Sequence, residues 1–352
     1  MATKTNPGNF FEDFKFGQEI IHPTPRTVTE GDVALYIALF GSRFAYSSSS
    51  EFAAALGMPR APIDDIMAFH FVFGKTVPDI SLNAIANLGY AAGKFGAPVF
   101  PGDTITTTSK VIGLRENRDG LSGIVYVRSV GINQHRDMVL DYVRWVMVRK
   151  NKREAPPPDP VIPKLPDAVD VGDLEVPYVL NVHNYDTKLS GSPYLWDDYE
   201  VGEKIDHVDG MTIEEAEHQM ATRLYQNTAR VHFDAMMHKH SRFGRRLIYG
   251  GHIISLARAL SFNGLANAFR VAAINGGRHV APTFAGDTIY AWSEVLDKMD
   301  IQGRRDLGAL RLRTVATKDA PASDFPLRDD EGNYERTVVL DFDYTVLMPK
   351  RM

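Results

Sequence analysis

The chain repeats itself. The segment FEDFKFGQEIIH (11–22) returns without a gap as WDDYEVGEKIDH (196–207), and PVFPGDTI (98–105) returns as PTFAGDTI (282–289). VLDYVRWVM (139–147) is answered by VLDFDYTVL (339–347). Three matches in one order and nearly one phase mark a tandem duplication, which any fold assignment must respect. At a prior of roughly 150 residues per domain, the 352 residues make two domains. The first is expected at 1–150 and the second at 181–352. Between them, 151–180 carries six prolines from Pro156 to Pro166. Such a run forms neither helix nor central strand, and reads as a semi-rigid extended linker. The second copy alone has an insertion, roughly 318–335, rich in Asp, Gly and Pro and expected as an exposed hairpin extension.

Each copy has the same order of elements. A short helix starts at Thr29 or Thr212, and Thr212-Ile-Glu-Glu215 has the form of a capping box. A run of small residues follows, then a helix apolar or small on nearly every face: IMAFHFVFG from Ile66 and HIISLARALSFNGLA from His252. A helix with no polar face belongs in the interior. About four alternating, β-branched runs come next, such as DTITTTSKVIGL and GIVYVRSVGI. The predicted fold class is α+β, an antiparallel sheet wrapped around a buried helix, built twice and packed side by side.

Composition removes several functions. The net charge of −5 is modest and no basic stripe offers a footprint for nucleic acid. There is no Cys, hence no disulfide framework, thiol nucleophile or thiolate metal site. No stretch nears the ~20 apolar residues that cross a bilayer, and the first residues read as no signal peptide. The expectation is a cytoplasmic protein without membrane contact.

The copies part company in one place. The second reads LYQNTARVHFD up to Asp234, then RFGRRLIYGGHI from Arg242. The matching stretch of the first begins LFGSRFAYSS, which sets Ser42 opposite Asn227 and Ser47 opposite His232. One copy keeps an imidazole and the other only hydroxyls. The pattern resembles the MaoC-like, (R)-specific enoyl-CoA hydratases of the hot-dog fold, whose signature runs D-x-N-P-x-H-x-D, F-G-x-P-x-x-H-G and P-x-x-x-G-D-T. His232 and Asp234 match the H-x-D, Phe243 and Gly244 the F-G, and Gly250 the last glycine. Pro282 with Gly286-Asp287-Thr288 matches the third element. Four positions differ: the family's Asp, Asn, Pro and second His are Asn227, Ala229, Arg230 and Tyr249. The resemblance spans both halves and implies a double hot-dog hydratase or dehydratase acting on an acyl-CoA thioester, without cofactor or metal. A homodimer is compatible with it.

Hydration of an α,β-unsaturated thioester needs a base for water and donors for the oxygen that gains charge. His232 has the reference pKa for that base, about 6.5. Gly250 opens the buried helix, where N–H groups favour negative charge and a missing side chain lets a thioester approach. The catalytic set is therefore His232, Asn227 and Gly250. Asn227 cannot carry a proton, but its amide oxygen can orient a water, or it serves only a local turn. A neutral Asn suits a substrate with a carboxylate of its own, because two like charges ~4 Å apart repel by about 4 kcal/mol at a dielectric near 20. Arg230 then becomes a counter-charge for that carboxylate or a contact for coenzyme A phosphates, with Arg43 of the first copy in reserve. Tyr249, Gly251 and Arg278 complete the expected substrate-binding residues. His238 and His240 follow Asp234, yet these ligands crowd one short segment without a closing partner, so no metal is expected. Two other activities fit the same fold, a hot-dog acyl-CoA thioesterase and a non-catalytic acyl-thioester binder. The retained imidazole favours hydration over both.

Overall fold

The computed structural model describes residues 4–351. The first half runs through β1 (Glu19–Thr27), α1 (Glu30–Phe40), α2 (Ala45–Ser48), α3 (Ser50–Ala55) and the long α4 (Asp65–Thr76). Strands β2 (Ala84–Phe95), β3 (Thr104–Glu116), β4 (Ser122–Ile132) and β5 (Met138–Arg149) follow. A connection bearing α5 (Thr187–Ser190) leads to β6 (Lys204–Asp206), β7 (Met211–Thr212), α6 (Glu215–Leu224), α7 (Arg230–Phe233) and α8 (Ala235–His238). Then come α9 (Gly250–Leu260), α10 (Phe262–Leu265), β8 (Arg270–His279), β9 (Thr288–Asp300), β10 (Leu307–Lys318) and β11 (Val338–Pro349).

The strands form one antiparallel sheet in the order β1-β3-β4-β5-β2-β8-β11-β10-β9-β6, with β7 beside β9. The order reads alike from either end, so the duplicated halves meet at β2 and β8, where Tyr90 faces Gly277 and Lys94 faces Ala273. Helices α4 and α9 are the apolar helices of the sequence, buried along almost their whole length. The sheet curls around both, and their side chains share one continuous core. No helix among the described residues is long and apolar enough to cross a membrane.

The repeated motifs are scaffold. Phe11 and Trp196 lie against Gly123 and Gly308, where any Cβ would run into the ring. His22 and His207 each hold a strand serine through Nε2, Ser109 and Ser293, both at 2.8 Å. In the G-D-T turns, Gly102 and Gly286 take φ of 102° and 95°, a region that glycine enters at little cost. Asp103 and Asp287 accept the N–H of Phe100 and Phe284 at 2.7 and 2.9 Å.

Two expectations are corrected. Thr29 does cap α1, its hydroxyl accepting the Asp32 N–H at 3.1 Å. Thr212 caps nothing. It belongs to β7, where its hydroxyl bonds Thr288 Oγ1 at 2.8 Å, and Glu214 takes the N-cap position of α6. Sheet pairing has claimed the threonine two residues too early for the helix. The 318–335 insertion is also not simply exposed. Ala322 is buried, Phe325 packs on Trp292 with ring centroids 5.4 Å apart, and Trp292 Nε1 donates to the Pro326 carbonyl at 3.0 Å.

Candidate active site

A cavity of about 370 Å³ opens where the two halves meet. Its second-half wall is Asn227, His232, Tyr249, Gly250 and His279; its first-half wall is Phe73, Asn87, Tyr90, Arg144 and Val146. Half-exposed Ile85 and exposed Arg149 stand at one side.

His232 sits on α7, and its Nδ1–H donates to the Leu247 carbonyl at 3.0 Å. That bond fixes the tautomer and leaves Nε2 with its lone pair. Burial holds the ring at a pKa of about 4, against a smaller upward pull from Leu247. The imidazole is thus neutral at pH 7 and able to accept a proton.

Asn227 is 4% exposed. Its Oδ1 accepts the Ala229 N–H at 3.1 Å, and Nδ2 is buried without a partner. A backbone N–H can be met only by the oxygen, which settles which way the amide points. Asn227 therefore has a donor left over, and the expectation that its oxygen orients water is revised.

Tyr249 occupies the N-cap of α9, and its own N–H goes to His218 Nε2 at 2.9 Å. Its hydroxyl lies 3.3 Å from His70 Nδ1, and His70 Nε2 meets Ser255 Oγ at 2.8 Å, so the first half braces it. Gly250 and Gly251 are the first helical residues, whose N–H groups have no acceptor inside the helix. A Cβ on Gly250 would stand 2.5 Å from the His279 ring. Glycine is required there for the imidazole to lie against the helix end. A Cβ on Gly251 would meet Tyr249 and His70; that glycine packs behind the cavity and does not line it.

The expected cationic contacts lie elsewhere. Arg230 is two residues before His232 on one helical turn, about 200° around the axis, and does not line the cavity. Arg278 precedes His279 on β8, so strand alternation turns it to the opposite face, where it is exposed with its guanidinium 5.9 Å from the Tyr334 ring. Arg43 lies 4.5 Å over the Phe262 ring in a separate hollow.

His279 and Arg144 escaped the motif reading. His279 Nε2 and the Tyr90 hydroxyl are hydrogen-bonded at 3.1 Å, and burial lowers the ring's pKa to about 4. Differences between the copies mark both residues: the P-x-x-x-G-D-T alignment sets His279 against Phe95, and the VLD alignment sets Arg144 against Tyr344.

The equivalent place in the first half is built from different groups. Asp64 and Asp65 stand where α9 has Tyr249 and Gly250. Asp64 caps α4 through the Ile66 N–H at 2.9 Å and takes a bond from Ser42 at 3.3 Å. Asp65 accepts the Val271 N–H at 3.0 Å beside Arg270, and burial raises it to about 7.

No family model matches the chain. It is 70% identical over 351 residues, all of both chains, to β-methylmalyl-CoA dehydratase of Chloroflexus aurantiacus. It is 58% identical over 347 residues, 99% of this chain and all of the other, to mesaconyl-CoA hydratase of Cereibacter sphaeroides. Among solved structures, a MaoC domain protein dehydratase of Chloroflexus aurantiacus superposes with a TM-score of 0.98 at 70% identity over the whole of both chains. A Mycobacterium tuberculosis protein with a double hot-dog fold matches with a TM-score of 0.75, covering 97% of this chain and 99% of that one; at 24% identity it speaks for the fold alone.

Proposed function

The chain belongs to the MaoC-like double hot-dog hydratases and dehydratases, and from that premise we propose that it interconverts mesaconyl-CoA and β-methylmalyl-CoA by reversible addition of water. The relatives named for the two directions of that reaction match it over essentially their entire length. The observation that carries the reading to the site is His232, with Nδ1–H tied to Leu247 and Nε2 left free in a cavity that also holds the start of α9.

The chemistry follows from those groups. Nε2 takes a proton from water as its oxygen bonds to the β carbon, the carbon that bears the distal carboxylate. The double-bond electrons move onto the thioester oxygen, and the Gly250 N–H at the helix N-terminus favours that charge. The imidazolium then returns its proton to the α carbon, and H and OH have been added. Asn227 cannot hold a proton. Its Nδ2 donor is suited to holding the water oxygen, which leaves His232 as the proton carrier. We place the enzyme in the cytoplasm with its coenzyme A substrate, and size in solution tests the expected homodimer.

Loss of absorbance of the conjugated thioester measures hydration directly. His232→Ala is expected to lower kcat by at least ~10²-fold, the scale of one general base. Near-full kcat in that variant removes His232 from the mechanism. Release of free thiol by the unmodified protein would instead indicate thioester hydrolysis.

A further inference from the structure

Arg144 is a fully buried arginine on β5 of the half without the catalytic imidazole. Its NH2 donates to Thr76 Oγ1 at 2.7 Å and to Ser81 Oγ at 3.4 Å, and its guanidinium carbon stands 4.3 Å over the Phe73 ring. NH1 and Nε have no partner at all. Among the described residues, no carboxylate forms an ion pair with it. A buried cation without a counter-ion is costly to keep. The other fully buried arginine, Arg270, has Asp65 beside it.

The unpaired groups belong to a residue that lines the cavity of His232 and Gly250. Arg144 lies directly across from Tyr90 on β2. The Tyr90 hydroxyl bonds His279, whose ring lies against Gly250. One short path of contacts thus links the guanidinium to the helix end proposed to receive the thioester. Asn87, facing Val146 two residues beyond Arg144, adds an amide that is buried, unpartnered and on the same wall.

We propose that Arg144, reaching the site from the first half, is the receptor for the distal carboxylate of the acyl group and so sets the enzyme's preference for dicarboxylic thioesters. The two unpartnered nitrogens leave the guanidinium with charge-assisted donors to spare for carboxylate oxygens. In the second half the matching position is Tyr344. The copy that lost the base has kept substrate selection. The proposal rests on the dicarboxylic reading of the substrate.

The test compares kcat/KM for mesaconyl-CoA with that for tiglyl-CoA, the same acyl group with a methyl in place of the distal carboxylate. The unmodified enzyme is expected to favour mesaconyl-CoA by at least ~10²-fold. Equal use of the two by the unmodified enzyme overturns the dicarboxylic reading itself, and this proposal with it. Given a preference, Arg144→Gln is expected to shrink it by at least ~30-fold, the scale of losing one partner of a buried charge pair. A preference left intact in Arg144→Gln overturns the proposal while leaving the substrate reading in place. So do equal losses on both substrates, which mark a structural role. Should Arg144→Gln fail to fold, Arg144→Lys keeps the charge but not the fork. Its preference is expected to fall by at least ~10-fold, and an unchanged ratio overturns the proposal.

Discussion

Asn227 offers a buried Nδ2 donor where the family pattern has an acid. Asn227→Asp keeps an acceptor for the Ala229 N–H but turns the donor into a second anionic oxygen. A substrate whose carboxylate sits on the reacting carbon would then face a like charge. At ~4 Å and a dielectric near 20 the repulsion is about 4 kcal/mol, so kcat/KM for mesaconyl-CoA is expected to fall by at least ~10-fold. Steady-state rates with tiglyl-CoA provide the control, and equal losses on both substrates would count against repulsion. His232, Asn227 and Gly250 were legible in sequence because they lie within one short segment that the two copies treat differently. Arg144 and His279 were not, because each reaches the cavity from a strand far along the chain. Periodicity places Arg144 in a buried strand, but only the curl of the sheet brings it to the cavity wall.

Elements of opposite halves hold one another in place around that segment. Gly74 in α4 faces the backbone of Tyr225 at the end of α6, and a Cβ there would fall on the Tyr225 carbonyl oxygen. Lys75 Nζ donates to Gln226 Oε1 across the same contact. In a free helix, glycine to alanine is stabilising by about 1 kcal/mol. Here Gly74→Ala is expected to cost about 1–3 kcal/mol, as overpacking does, and to lower kcat, since Asn227 is two residues past Tyr225. Thermal unfolding and hydration rates measured together check it; a raised Tm would mean that the halves separate easily at this point. The buried character of α4 and α9 was legible from their lack of a polar face. That the helices cross-brace was not, because the glycine's role depends on a partner carbonyl some 150 residues away.

Across the whole molecule, the two copies build one cavity between them. The second half contributes His232, Asn227, Gly250 and His279 to the cavity, and the first contributes Tyr90, Asn87 and Arg144. The interior that makes this arrangement is rich in imidazoles kept neutral by burial. His207, His232 and His279 are lowered to about 4, His252 to about 3 and His218 to about 2, and His70 is lowered as well. An unfolded chain protonates its histidines near 6.5. Between that value and about 4 the unfolded state binds more protons than the folded one, so stability falls as pH falls. Each such group contributes a slope of about 1.4 kcal/mol per pH unit in that window. Asp64 and Asp65, whose carboxyls burial raises, act in the opposite direction, since they gain protons on folding. Six imidazoles against two carboxyls decide the sign. Calorimetry is expected to give a nearly constant Tm from pH 8 to 7 and a fall of at least ~10 °C by pH 5. A Tm that holds steady from pH 7 to 5 would mean that water or rearrangement lets these imidazoles take protons without loss of the fold.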